Sequence, residues 1–281
     1  MWDQMQKFIK KAKDGQKVKG VFTDPNTAIK CGGAPKKVMY LTNSRLNEAK
    51  ARANAELTFY ADSGKLFGVK EYADAIEKQF VARDMKWNLG HNLTAVDFEK
   101  KIAIFDKHWE EQGEFDKDLN EYAKVTKHLD VEAPFDFLHV TPPQKAPDEI
   151  GKSPIGSAKG WVPVDKETLQ HVKYKNIFAI GDIAAVPMAK TGGSVRKQYK
   201  VLVENLISVM EGKEPTAKYA GYTVCPLITD IGKVMLAEFD WSAKPTPSFP
   251  LDPTQERYIW WLMKVYLLKP MTQYGMLSGK A

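Results

Sequence analysis

The sequence predicts an α/β protein of the doubly wound kind. Three observations predict it. The N-terminal third alternates strand, small-residue turn, helix, strand, helix. Further on, an apolar run, Ile177-Phe178-Ala179-Ile180, leads straight into Gly181-Asp182 and is followed by a helical pattern. The chain has 281 residues, of which 43% are hydrophobic, so it is long and apolar enough for about two domains with real cores.

The elements follow in order. Residues 2–13 read as an amphipathic helix. Lys17 to Phe22 alternates and breaks at Asp24-Pro25, which fits a strand and a turn. Gly32-Gly33-Ala34-Pro35 opens a helix through Tyr40 and Leu41, with Pro35 suited to the first turn. Ala55 to Tyr60 is a second strand. Tyr72 to Val81 is a second helix, with Tyr72, Ile76 and Phe80 on one face. Val96–Phe98 and Lys101–Phe105 suggest a hairpin. Residues 108–133 are charged and mixed and read as a surface insertion.

Phe135 to Val140 reads as a buried strand stopped by Thr141-Pro142-Pro143. Ile177–Ile180 reads as another strand, and Ser194 to Met210 as a helix. Thr223-Val224-Cys225-Pro226-Leu227 places a thiol before a proline in a loop. Ser248 to Pro253 is a stiff linker. The stretch from Tyr258 to Leu268 is dense in Trp, Tyr, Leu and Met, with Lys264 and Lys269. It is too short to span a bilayer. It suits a membrane interface or a packed helix, and the pattern leaves both open.

Composition narrows the function. The net charge is +6, with lysines spread among acids, which fits a solvated surface or attraction to anionic lipids and small anions. No nucleic-acid-binding pattern occurs, so nucleic acid is not an expected partner. The cysteines are two, Cys31 and Cys225, with no CxxC, and no metal-ligand spacing is present. The histidines, His91, His108, His128, His139 and His171, are scattered and read as structural or solvent-exposed. The first residues resemble neither a secretory signal nor a transit peptide.

Three motifs carry chemistry. A carboxylate at Asp182, at a strand's C-terminal end, can accept hydrogen bonds from a ribitol or ribose hydroxyl; a plain strand-end cap is the alternative. Lys190-Thr191-Gly192-Gly193-Ser194-Val195 enters a helix, whose N-terminal N–H groups favour an electron-rich group such as a flavin edge. Cys31 precedes a helix start, where a thiolate is stabilised. Spacing alone leaves open whether Cys31 and Cys225 are a pair or two unrelated buried thiols.

At Asp182 and Gly192–Val195 the chain resembles the two-dinucleotide-binding-domain flavoproteins of the disulfide reductase superfamily. Both cysteine contexts, Leu138–Pro143, Gly160–His171 and Leu236–Asp240 are similar to the mitochondrial-type sulfide:quinone oxidoreductases, from about Phe22 to the C-terminus. The resemblance implies a Rossmann-like fold and FAD. It implies that hydrogen sulfide attacks an oxidised bridge between Cys31 and Cys225, with Cys225 carrying the persulfide and Cys31 next to the flavin. Electrons would pass through FAD to ubiquinone, and sulfane sulfur to an acceptor such as glutathione or sulfite. Asp182, Gly192, Gly193, Ser194 and Val195 would contact FAD. The tail around Trp260 and Trp261 would form membrane-associating helices beside the quinone entrance, on the matrix side of the mitochondrial inner membrane. Where some members carry a cysteine after Gly-Asp, this chain has Ile183.

The implied domains are a second dinucleotide-binding-like domain at 1–134, the remaining part of an FAD-binding domain at 135–214, and a redox-loop and membrane-associating region at 215–281. The family's opening strand, Gly-x-Gly-x-x-Gly and helix have no counterpart in this sequence, so the expectation is a truncated form lacking the first FAD-binding βαβ, with weak or absent FAD binding. Two alternatives remain: a type II NADH:quinone oxidoreductase relative, which would need a nucleotide-binding turn where Cys31-Gly32-Gly33-Ala34-Pro35 stands, and a catalytically inactive membrane- or partner-binding fragment.

Overall fold

The computed structural model describes residues 1–27, 30–118, 120–188 and 190–279. The chain forms two compact units, one of Met1–Ala28, Val38–Leu66 and Ile76–Pro143, the other of Ile29–Lys37, Phe67–Ala75 and Gln144–Ala281.

The first unit is built on a parallel sheet of β1 (Val18–Asp24), β2 (Ala55–Ala61), β3 (Met85–Leu89) and β7 (Phe137–His139), in the order β3-β2-β1-β7. Helix α1 (Trp2–Lys13) buries Met5, Phe8 and Ala12, the apolar positions of its amphipathic pattern. Phe8 meets Phe137 of β7 with ring centroids 5.6 Å apart. Helices α2 (Ala34–Glu48) and α3 (Lys70–Ala82) belong to both units. Within the first, Phe80 of α3 sits edge-on to Tyr40 of α2 at 5.4 Å and to Phe59 of β2 at 6.4 Å. These are the contacts that the i, i+4, i+8 pattern of α3 requires.

Two expectations change here. The charged segment 108–133 lies at the surface, as expected of a surface insertion, but it is regular strand. It is most of a long ribbon between β5 (Ile102–Asp116) and β6 (Glu121–Pro134), which joins β4 (His91–Asp97) in an antiparallel sheet ordered β4-β5-β6. Nearly all of β6 is exposed, so neither face imposes an apolar period of two and the strand leaves little trace in the sequence. Only the base of the ribbon is buried, where Ala103, Phe105 and Ala133 pack with Val21. The strand expected over Phe135–Val140 is the shorter β7, with Phe137 buried and Val140 exposed.

The second unit centres on an antiparallel sheet of β8 (Thr223–Asp230), β9 (Lys233–Phe239) and β10 (Glu256–Arg257), ordered β10-β9-β8. Cys225 therefore lies on a strand, not in a loop. Pro226 is tolerated because β8 is the outer strand and needs no N–H on its open side. Thr223, Cys225, Leu227 and Thr229 alternate inward. Helix α5 (Gly192–Met210) is capped by Thr191, after the single turn α4 (Asp148–Gly151) and an irregular stretch. The run Ile177–Ile180 is not a strand. Among the described residues no strand lies beside it to complete a ladder, and it makes one isolated bridge, Gln170 to Phe178, before a tight turn at Gly181–Ile183.

A buried carboxylate ties this unit together. The Glu238 side chain accepts from the Tyr222 hydroxyl and from the Ser248 hydroxyl at 2.6 Å and N–H at 2.9 Å. Its backbone exchanges two hydrogen bonds with the Tyr72 hydroxyl, at 2.8 and 3.1 Å. In the tail, α6 (Tyr258–Leu262) runs into further helical turns up to Met276. Trp260 is buried against Val234 and Leu236, while Tyr258, Ile259, Val265, Tyr266 and Leu267 are exposed. Among the described residues no helix is long and apolar enough to cross a membrane.

Candidate active site

The Cys31 loop is shaped before it meets its partner. Cys31 has φ of 56°, a left-handed conformation that non-glycine residues rarely adopt. Its carbonyl accepts the Ala34 N–H at 2.7 Å, closing a tight turn into α2. The Lys30 N–H donates to Gln144 Oε1 at 2.9 Å. Ile29, at the head of this motif, lies outside the described residues.

This turn brings Cys31 Sγ to 3.3 Å from Cys225 Sγ, joining positions 194 residues apart. Both are free thiols. A disulfide requires the sulfurs to move roughly 1 Å closer. Gly33 makes the approach possible, because a Cβ there would stand 2.6 Å from Cys225 Sγ. Lys37, one turn into α2, points back toward the helix start as helical side chains do, and its Nζ reaches Cys31 Sγ at 3.6 Å.

The electrostatics divide the pair. The Cys225 thiol, donating to Cys31, brings the Cys31 pKa down to about 5; burial opposes this, and the Lys37 ammonium assists. Cys225 is pushed well above the usual thiol range, by that same hydrogen bond and by burial. Cys31 is thus the thiolate and Cys225, 1% exposed, keeps the proton.

The expected flavin contacts lie on a second pair of segments. Gly181 has φ of 67°, and its N–H donates to Gln198 Oε1 at 2.8 Å. The Asp182 side chain is 54% exposed and pairs with Lys30 Nζ at 3.0 Å. Lys190 Nζ holds the same turn, donating to the carbonyls of Asp182 and Ala184 at 2.7 and 2.6 Å. At the start of α5, Thr191 Oγ1 accepts the Ser194 N–H at 3.2 Å and meets the Ser194 hydroxyl at 2.9 Å, and the Thr191 carbonyl accepts the Val195 N–H at 3.1 Å. Ser194 and Val195 thus spend these N–H groups inside the fold. Gly192 and Gly193 stand in the first turn, where backbone N–H groups have no acceptor within the helix. A Cβ on Gly192 would meet nothing within 4 Å, so a ligand can come close to the backbone there. An exposed carboxylate fits a ribityl hydroxyl, and a helix start fits an electron-rich flavin edge.

These segments are stitched to the cysteines. Lys30, next to Cys31, is the ion-pair partner of Asp182. Gly193 lies against Val224, next to Cys225, so closely that a Cβ would fall 2.0 Å from Val224 Cγ1. Sequence reasoning found both cysteines but missed the parts played by Gly33, Lys30 and Lys37. Gly33 left a signal in the small-residue turn, and Lys37 as a lysine in the first turn of the helix that Cys31 precedes.

No family model matches the chain. It is 40% identical over 278 residues to the mitochondrial sulfide:quinone oxidoreductase of Mus musculus, covering 99% of this chain and 57% of that one. The chain belongs to the sulfide:quinone oxidoreductase family. It spans a little over half the length of the curated relatives it matches. Among solved structures, the sulfide:quinone oxidoreductase of Aquifex aeolicus superposes with a TM-score of 0.68 at 17% identity, covering 98% of this chain and 61% of that one. A chain of the Tetrahymena thermophila mitochondrial ATP synthase gives 0.72 at 18% identity, covering 96% and 62%. At these identities the two likenesses speak for the fold alone, and the α/β fold with a parallel sheet expected from the sequence stands.

Proposed function

We propose that this chain carries the sulfide-oxidising centre of a sulfide:quinone oxidoreductase. The observation that supports this best is the Cys31–Cys225 pair, with sulfurs 3.3 Å apart and one of them beside an ammonium. In the oxidised pair, hydrosulfide attacks Cys225 Sγ. The bond between the two cysteine sulfurs breaks, and its electron pair leaves on Cys31, the better leaving group because its thiolate is the stabilised one. Cys225 then holds the persulfide, and a second thiol or sulfite removes the outer sulfur.

FAD, when bound, supplies the two-electron acceptor that returns the pair to its oxidised state and passes electrons to ubiquinone. Asp182 would accept a hydroxyl of the ribityl chain, and the helix start at Gly192, Gly193, Ser194 and Val195 would hold the ring edge. The exposed Tyr258, Ile259, Val265, Tyr266 and Leu267 rest on the membrane surface. The names of the relatives support a mitochondrial location, and the family resemblance supports the matrix side of the inner membrane. The paired thiols favour this reading over an NADH:quinone oxidoreductase, since a cysteine-bearing turn stands where a nucleotide-binding glycine turn would be needed. Anaerobic addition of sulfide to the chain supplemented with FAD tests it. Flavin absorbance is expected to bleach with sulfide, not with NADH, and Cys31→Ser is expected to prevent it. Bleaching by NADH alone would overturn it.

A further inference from the structure

Lys36 has no part in the reaction described above, yet it is only 1% exposed. A lysine is almost never buried to that degree without partners, because desolvating its ammonium is costly. Its place in the fold adds a second cost. Lys36 lies in the first turn of α2, where the helix dipole disfavours a cation. The side chain runs back toward the helix start, as helical side chains do, and its Nζ donates to the Gly32 carbonyl at 2.9 Å. Gly32 stands between Cys31 and Gly33, the residue pressed against Cys225 Sγ.

The turn needs such a hold. Cys31 sits at a φ of 56°, a conformation that costs energy and that its surroundings must impose. Hydrogen bonds secure it on both sides. Before it, the Lys30 N–H donates to Gln144 Oε1 at 2.9 Å. After it, the Lys36 ammonium takes the Gly32 carbonyl, while the Cys31 carbonyl accepts the Ala34 N–H. We propose that Lys36 is a positioning residue for Cys31: bonded to the Gly32 carbonyl from inside the fold, it holds the turn in the conformation that sets Cys31 Sγ against Cys225 Sγ. The demand is geometric. The sulfurs stand 3.3 Å apart as thiols and must come roughly 1 Å closer to bond. A backbone fixed on both sides leaves that movement to side-chain rotation, and it returns the thiols to the same place each time the bridge opens. Lys36 acts through the turn, and its role rests on the reading of Cys31 and Cys225 as a working redox pair.

The test uses the full chain and reads Cys31 directly. The reduced protein is oxidised with diamide and quenched at intervals, so that closure of the pair is followed as loss of free thiol. Alkylation of Cys31 by iodoacetamide is measured against pH in parallel. Lys36→Met nearly keeps the volume and removes the donor. Closure is expected to slow by about tenfold to a hundredfold, the cost of misplacing a reacting group by an ångström or so. The alkylation midpoint is expected to rise from about 5, because the Cys225 hydrogen bond that lowers it is stretched. Lys36→Gln, whose amide N–H can donate to the same carbonyl, recovers part of both. Folded variants with a lower thermal midpoint but wild-type closure and alkylation would show that Lys36 serves stability alone, and would overturn the proposal while the pair stands. Should Lys36→Met not fold, the wild type decides. Nuclear magnetic resonance of the chain carrying ¹⁵N-labelled lysine is expected to show slowly exchanging Lys36 ammonium protons whose resonance shifts when diamide closes the pair. A Lys36 ammonium in rapid exchange with water would overturn the proposal. A wild type that diamide cannot close would remove the pair and the proposal together.

Discussion

Gly33 lies so close to Cys225 that a Cβ added to it would stand 2.6 Å from the sulfur. Gly33→Ala forces either the Cys31 turn or β8 to move, and so separates the two sulfurs. The expected result is loss of rapid disulfide closure with diamide and a destabilisation of ~1–3 kcal/mol, typical of overpacking. Free-thiol counts after oxidation and the thermal midpoint measure the two effects.

Lys37→Met removes the ammonium beside Cys31. With Cys31 at about 5, its thiolate is nearly complete at pH 7 and is half lost as the pH falls to about 5. In the variant the midpoint of iodoacetamide alkylation of Cys31 moves up, so reactivity at pH 6 falls more than at pH 8. Lys37→Arg keeps the midpoint low. Thiolate absorbance against pH provides the same reading without reagent.

Much of the first unit was legible, and the reason is burial. α3 has one face in the core, so Ile76 and Phe80 recur at its period, and β1 and β2 are buried along most of their length, so Val21-Phe22 and Leu57–Phe59 stand out as apolar runs. The ribbon of β5 and β6 escaped because its side chains are wet on both faces. β8 escaped because Pro226 reads as a loop signal, and only its outer position in the sheet makes it a strand. Ile177–Ile180 misled in the other direction, since apolar composition without a neighbouring strand does not make a sheet. The site divides in the same way. Cys31 and Cys225 stood out by type and context, but a separation of 194 residues along the chain gives no distance in space, and the packing that brings the two sulfurs together is tertiary.

Gly193→Ala drives a methyl into Val224, which a Cβ would approach to 2.0 Å. The start of α5 must then lift from β8. The expected outcome is a lower thermal midpoint together with weaker flavin binding, read by equilibrium titration with added FAD. Gly192→Ala, where a Cβ meets nothing within 4 Å, leaves stability nearly unchanged and serves as the control.

Tyr72→Phe removes a hydroxyl that makes two hydrogen bonds to the Glu238 backbone in a buried setting. The expected destabilisation is about 1–3 kcal/mol, because a buried N–H and C=O are left unpaired. Urea unfolding with an unchanged slope would register it. The alkylation midpoint of Cys31 stays where it was.

The most direct test of the central claim is where sulfur lands. The diamide-oxidised chain is mixed with sulfide, alkylated and digested, and both cysteine peptides are examined by mass spectrometry. One added sulfur on Cys225, with Cys31 recovered as a plain thiol, is the predicted result. An added sulfur on Cys31 with Cys225 unmodified, or none on either, would contradict it.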